Sequence, residues 1–169
     1  MEISEKTAVA LGYFDSMHIG HMAVINKAVS CGYAPAVFSF YSESGKRGEK
    51  PLLSPSEKVE LFEKSAVKYL FMPDFKDIKE LSGKDFFEKV LIEKMKAAAV
   101  VCGEDYRFGK NAECSVSDLK VFCSEYKAEL YVVPLIKKNG NKVSTTEIRK
   151  LLSEKAFDSV AALLGRKNI

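Results

Sequence analysis

Gly12-Tyr13-Phe14-Asp15-Ser16-Met17-His18-Ile19-Gly20-His21 decides the reading of this chain. It begins where the apolar run Ala8-Val9-Ala10-Leu11 ends and leads into the amphipathic segment Met22 to Ser30. The order is strand, tight turn, helix. Both histidines of the sequence stand here, and at a helix entrance positions i and i+3 share a face. His18 and His21 therefore converge in front of the helix N-terminus, and Gly20 between them lets a ligand come close to the backbone. Free N–H groups and the positive end of the helix dipole make that place an anion site. Two imidazoles beside it suggest a phosphate whose charge changes during a reaction.

His-x-Gly-His alone is a four-residue match that arises by chance; the full stretch at a strand-to-helix turn is more specific. It resembles the Gly-x-Phe-Asp-x-x-His-x-Gly-His signature of the nucleotidyltransferase superfamily, most closely its FMN adenylyltransferase (FAD synthetase) branch. Ser16 departs from the pattern, because that branch usually carries Gly there.

Composition bounds the remaining choices. At 169 residues and 47% hydrophobic the chain suits one compact domain, residues 1–169, with a real core. A net charge of +3 is too mild to argue for nucleic acid, since the lysines alternate with glutamates as solvated helix faces do. Cys31, Cys102, Cys114 and Cys123 form no Cys-x-x-Cys pair and no metal-ligand rhythm, so reduced thiols in the cytoplasm are expected. The opening Met-Glu-Ile-Ser-Glu-Lys lacks a signal peptide's apolar region, and no run reaches membrane-spanning length.

Along the chain, strands alternate with helices. Continuous apolar character predicts strands at Thr7–Tyr13, Ala34–Phe40, Tyr69–Met72, Ala97–Cys102 and Glu129–Pro134. Met22, Ala23, Ile25, Ala28 and Val29 give the first helix its stripe, and Gly32 stops it. Ser54-Pro55-Ser56-Glu57 is a capping box with Pro at the first helical position, opening a helix with Val59, Leu61, Phe62 and Ala66. Ser82-Gly83-Lys84-Asp85 starts another, whose buried side is Phe86, Phe87, Val90, Leu91 and Met95. Ser115 opens a helix to about Tyr126, Asn139-Gly140-Asn141 is a turn, and Ser144-Thr145-Thr146-Glu147 caps a helix with Ile148, Leu151 and Leu152. A last helix near Asp158 to Leu164 ends at Gly165. This alternation predicts an α/β, Rossmann-like, doubly wound sheet of five parallel strands in the order 3-2-1-4-5, with helices on both faces. Ligands then bind beyond the carboxyl ends of strands 1 and 4, where loops 12–21, 103–110 and 143–149 meet.

The loop Gly103-Glu104-Asp105-Tyr106-Arg107-Phe108-Gly109-Lys110 ends Gly-Lys but is no Walker A motif: five residues separate the glycines, and Asn follows the lysine. It resembles the Gly-x-Asp-Phe-x-Phe-Gly element of FAD synthetases, with Tyr106 for Phe. Val143-Ser144-Thr145-Thr146-Glu147-Ile148-Arg149 is similar to the family's Ile-Ser-Ser-Thr-x-Ile-Arg motif. Hydroxyls and N–H groups at a helix start suit phosphate oxygens, and Arg149 one turn on suits a bidentate clamp. The likeness runs to Leu163-Leu164-Gly165-Arg166.

The resemblance implies a reaction in which the phosphate of FMN attacks the α-phosphorus of ATP, giving FAD and pyrophosphate. It assigns His18 and His21 to the ATP phosphates, with His21 stabilising the transition state, and Ser144, Thr145 and Arg149 to the departing pyrophosphate. Gly12, Tyr13, Phe14, Asp15 and Gly20 would shape the nucleotide pocket, with Gly103 and Asp105 opposite. Mg²⁺ would be held mainly by phosphates and water, with no protein metal ligands. Related enzymes commonly carry Pro-His-Pro after the second strand; here Phe40-Tyr41-Ser42-Glu43-Ser44 has neither residue. Phe40, Tyr41, Phe75 and Phe108 are candidates to stack on the isoalloxazine, each with core or loop packing as its alternative; Lys46, Arg47 and Lys50 either meet the FMN phosphate or belong to a merely solvated loop. Two readings compete with FMN adenylylation: adenylyl or cytidylyl transfer to another phosphorylated acceptor, and a non-catalytic nucleotide or flavin binder. Bifunctional relatives add a riboflavin kinase domain after Leu-Gly-Arg, so this module alone is expected not to phosphorylate riboflavin.

Overall fold

The computed structural model describes residues 3–41 and 50–166. Strands β1 (Thr7–Leu11), β2 (Ala34–Phe38), β3 (Tyr69–Phe71), β4 (Ala97–Gly103) and β5 (Glu129–Val133) form one parallel sheet, ordered β3-β2-β1-β4-β5. That is the expected order, with β1 central. Side chains alternate across a strand, and this sheet divides its apolar residues accordingly. Val9, Leu11, Ala36, Phe38, Val100 and Cys102 face one way, onto Phe86, Phe87, Leu91 and Leu119. Ala8, Ala10, Val37, Ala99 and Val101 face the other, onto Val24, Ile25, Ala28 and Phe62. Strands covered on both faces need apolar residues at every position, which is why β1 and β4 read as continuous runs. Fully burying a side chain such as Phe38 contributes about 1.5–3 kcal/mol.

Helices α1 (Ile19–Val29) and α2 (Pro55–Glu63) supply the second of these faces. A short α3 (Phe75–Ile78) follows β3, with Asp74 capping it. Helix α4 opens with the turn Gly83–Asp85 and continues as the π-helical stretch Phe86–Lys94. The periodicity predicts an ordinary helix there, and the difference has a visible cause. Phe86 and Leu91, like Val90 and Met95, are five residues apart and buried together, and the Met95 N–H bonds the Val90 carbonyl five residues back. Helix α5 (Val116–Glu125) completes this layer behind a Ser115–Asp118 capping box.

After β5 comes a hairpin, β6 (Lys137–Lys138) and β7 (Asn141–Lys142), absent from the sequence reading except for its turn. Asn139 and Gly140 take φ of 52° and 81°, the left-handed pair that two-residue hairpins require. Helices α6 (Thr145–Ser153) and α7 (Phe157–Leu164) then build a third cluster from Val143, Ile148, Val160, Leu163 and Leu164. Ile19, at the start of α1, and Leu52 pack against it, so the C-terminal helices dock beside the histidine turn.

Three boundaries at the carboxyl edge fall earlier than expected. β1 and β2 end at Leu11 and Phe38, two residues before Tyr13 and Phe40, and α1 begins three residues before Met22. Loop contacts at the carboxyl edge take residues 12–13 and 39–40 out of the strands, whereas the His18 cap starts α1 early. Of the expected loop 41–51, residues 42–49, with Lys46 and Arg47, lie outside the described residues. The four cysteines are free thiols. No helix among the described residues is long and apolar enough to cross a membrane.

Candidate functional site

The turn after β1 is built on strained backbone and close ring packing. Phe14 and Met17 adopt φ of 51° and 48°, an uncommon region for residues with side chains, and both are about 1% exposed. The Phe14 ring folds under Gly12, where a Cβ would sit 2.7 Å from its Cζ. It then meets Phe62 and His21 edge-on, with ring centroids 5.8 and 5.3 Å away. Phe14 is thus a core residue that shapes the turn.

His18 is the N-cap of α1. Its Nδ1 accepts the His21 N–H at 3.1 Å, which fixes its neutral tautomer with the proton on Nε2. The two imidazoles stack, centroids 3.7 Å apart and planes within 11°. A side chain at residue 20 would come within 3.0 Å of the His18 ring, so glycine there makes the folded-back ring fit. Burial drives the His18 pKa down to about 4, aided by the positive charges of Lys142 and Arg166 and opposed by Asp105. His21 is pushed well below the usual histidine range, first by burial and then by His18 and Lys58. Its Nδ1 is buried and meets no partner among the described residues. Both rings are therefore neutral near pH 7.

The expected meeting of three loops is present. Ser16 Oγ and Thr145 Oγ1 share a hydrogen bond of 3.1 Å, joining the histidine turn to the N-terminus of α6. Ser16, 2% exposed, thus has a structural use where the family usually has Gly. Asp15 accepts the Leu52 N–H at 3.1 Å and pairs with the Arg149 Nη2 at 3.2 Å. The Arg149 Nη2 also donates to the Lys50 carbonyl at 2.6 Å. Asp15 was expected on the nucleotide wall; its carboxylate is buried and engaged in orienting Arg149 instead. Ser144 caps α6 by accepting the Glu147 N–H. From the third loop, Asp105 forms an ion pair with Lys142 of the hairpin, and both bear on His18. A Cβ on Gly103 would meet the Asp105 carboxylate at 3.3 Å.

The aromatic candidates separate. Phe40 stands edge-on to the half-exposed Phe75, centroids 5.4 Å apart, and lies 6.2 Å from Tyr13. Tyr41 is exposed and bridges to Asp74. These three form an open shelf at the ends of β2 and β3. Phe108 does not join it: the ring is 6% exposed and packed on Phe86, Tyr106 and Phe122, so it is a core residue.

Three residues escaped the sequence reading. Arg166 donates to the Ser16 and Met17 carbonyls at 2.9 and 2.8 Å, pinning the turn from α7. Lys142 reads as one more lysine of a polar turn. Lys58 is 3% exposed and donates to the Tyr13 and Phe40 carbonyls at 2.8 and 3.3 Å. The one signal for it was its place four residues before Phe62, on the apolar side of α2.

Comparison with known proteins agrees with this geometry. The family model described as FAD synthetase matches residues 1–147. A bifunctional riboflavin kinase/FMN adenylyltransferase of Listeria monocytogenes is 31% identical over 168 residues, covering 93% of this chain and 53% of that protein. One of Buchnera aphidicola (subsp. Schizaphis graminum) is 26% identical, covering 98% and 56%. The FAD synthetase of L. monocytogenes is 26% identical, covering 96% and 70%. The chain thus spans about half the length of the first two of these relatives. A crystal structure of a macrolide-efflux protein from Streptococcus pneumoniae matches with a TM-score of 0.82 and 25% identity, over 98% of this chain and 66% of that one. By its sequence, its sheet order and the histidine turn at the switch point, the chain belongs to the FAD synthetase family.

Proposed function

We propose that this module transfers AMP from ATP to the phosphate of FMN, releasing pyrophosphate and forming FAD. The observation that carries the reading is the coupling of two helix N-termini. Stacked, uncharged His18 and His21 open α1, and the Ser16–Thr145 and Asp15–Arg149 contacts tie them to Ser144 and Thr145 at the start of α6. Two sets of N–H donors suit a polyphosphate chain better than a single anion.

An FMN phosphate oxygen attacks the α-phosphorus; the bond from that phosphorus to the bridging oxygen breaks, and its electrons leave with pyrophosphate. The phosphate is already ionised at pH 7, so no base has to remove a proton. Two neutral histidines suit this chemistry, since their task is to donate hydrogen bonds to oxygens whose charge grows. The Nε2–H of His18 is fixed for that by its cap. His21 is assigned to the transition state, and Ser144, Thr145 and an oriented Arg149 to the leaving pyrophosphate. Gly12, Gly20 and Gly103 line the nucleotide pocket, with Tyr13 at its edge.

A magnesium ion would neutralise charge accumulating on the pyrophosphate. Asp15 and Asp105 already pair with Arg149 and Lys142, and among the described residues no three metal-ligating side chains gather. The ion is assigned to phosphate oxygens and water, since Mg²⁺ keeps several waters and needs few protein carboxylates. The flavin ring is assigned to the Phe40–Tyr41–Phe75 shelf; the contact of Phe40 with Tyr13 supports this, since it would put the acceptor beside the nucleotide turn.

Pyrophosphate release from ATP, measured with and without FMN, tests the reading. Release that depends on FMN and yields FAD supports it. Release with another phosphorylated acceptor moves the assignment to that acceptor, and nucleotide or flavin binding with no turnover makes the chain a binder.

A further inference from the structure

A buried lysine at the junction of the two half-sites has no part in the chemistry above. Lys58 rises from the first turns of α2, and its Nζ donates to Tyr13 O at 2.8 Å and Phe40 O at 3.3 Å. Tyr13 belongs to the nucleotide turn, and Phe40 to the aromatic shelf. The ammonium also stands over the Tyr13 ring, 4.3 Å from its centroid. Tyr13 O takes a second bond from Ser39 Oγ at 2.9 Å, which locks the turn to the end of β2. Among the described residues no carboxylate lies within ion-pairing distance of this Nζ. The titratable groups that act on it or feel it are Asp15 of the turn, which favours its charge, and His21 of α1, whose charging it opposes.

A buried ammonium satisfied only by carbonyls and a π face is costly to keep. A surface helix would gain by replacing it with an apolar residue. Its geometry, however, joins two backbone segments that must stay in fixed relation if two substrates are to meet within reacting distance. Its charge also reaches the histidine turn, where it opposes protonation of His21.

We propose that Lys58 is a positioning residue: its buried ammonium fixes the Tyr13 and Phe40 carbonyls, holding the nucleotide turn and the acceptor shelf in register, and supplies positive charge beneath the phosphates. The acceptor half of this statement rests on the function proposed above; the nucleotide half does not.

Burial lowers the Lys58 pKa to about 8, with Asp15 opposing. The device therefore has a working range: the ammonium is charged below pH 8 and is lost as pH rises through it. ATP with Mg²⁺ is titrated calorimetrically into wild type, Lys58→Met and Lys58→Arg from pH 6.5 to 9.5, and FMN-dependent kcat is followed in parallel. Wild type should bind ATP about fivefold to tenfold more weakly at pH 9.5 than at pH 7. Lys58→Met should bind it about tenfold more weakly at pH 7, with no further loss at high pH, and its kcat should fall about a hundredfold. Lys58→Arg keeps a charge that does not titrate here, so its ATP affinity should stay level across the range. If Lys58→Met does not fold, Lys58→Arg decides through that level profile. A folded Lys58→Met with wild-type ATP affinity, or an alkaline loss that persists in either variant, overturns the proposal. Absence of FMN turnover in wild type instead overturns the function, while the ATP titrations still decide the role of Lys58.

Discussion

Replacing His18 separates two tasks that one ring performs. Its Nδ1 caps α1 through the His21 N–H, and its Nε2–H is the donor assigned to phosphate. In His18→Ala the lost cap costs about 1 kcal/mol. Removing a ring that is 6% exposed and stacked at 3.7 Å on its neighbour adds about 1–2 kcal/mol. For a chain of this length each kcal/mol lowers Tm by roughly 2–4 °C, so a fall of roughly 5–10 °C is expected. Removing a preorganised donor should lower kcat by about a hundredfold or more. His18→Asn restores an acceptor at the cap but cannot reach the phosphate. It should recover roughly 3 °C of the loss and none of the rate. Thermal unfolding followed by circular dichroism, with steady-state kinetics on the same preparations, reads both. Recovery of kcat in His18→Asn, or a His18→Ala protein as stable as wild type, refutes the double role.

Other outcomes follow from the same contacts. Asp15→Asn keeps an acceptor for Leu52 N–H but removes the charge facing Arg149; urea unfolding should show a loss of about 1–3 kcal/mol, and kcat should fall more than tenfold as Arg149 loses its orientation. Because the folded-state pKa of His18 is lowered to about 4, the unfolded chain takes up its proton first as pH falls from 6.5. Stability at pH 7 should therefore decline by roughly 3 kcal/mol towards pH 4, and denaturant titrations of wild type against His18→Asn should show the variant losing less. Phe75→Ala opens the shelf beside Phe40, so FMN should bind about tenfold more weakly by fluorescence quenching while ATP affinity holds. Equal FMN affinity in that variant would move the flavin off the shelf.

The sheet was legible because strands buried on both faces must be apolar throughout, and capping boxes at Ser54 and Ser144 announce their helices in sequence. The turn at residues 12–21 was legible because its glycines and histidines are chemically unusual together. Less visible was anything set by contacts distant in sequence. Asp15 reads as a pocket residue until Arg149 and Leu52, more than thirty residues away, are seen to occupy its carboxylate. Lys58 and Lys142 look like ordinary solvated lysines, since only tertiary packing buries the first and brings the second to Asp105. Phe108 could have been shelf or core, and the packing of Phe86 and Phe122 around it placed it in the core. The π-helical stretch was hidden because apolar spacings of four and five residues suit either register over two turns.

The central claim is that an FMN phosphate oxygen becomes the bridge to AMP. Incubating the chain with ATP, Mg²⁺ and FMN labelled with ¹⁸O in its phosphate, and reading the products by ³¹P NMR and mass spectrometry, tests it most directly. The account predicts FAD that carries the label in its diphosphate and unlabelled pyrophosphate in equal amount. Orthophosphate in place of pyrophosphate, label in the released phosphate, or no FAD from a protein that binds both substrates would contradict it.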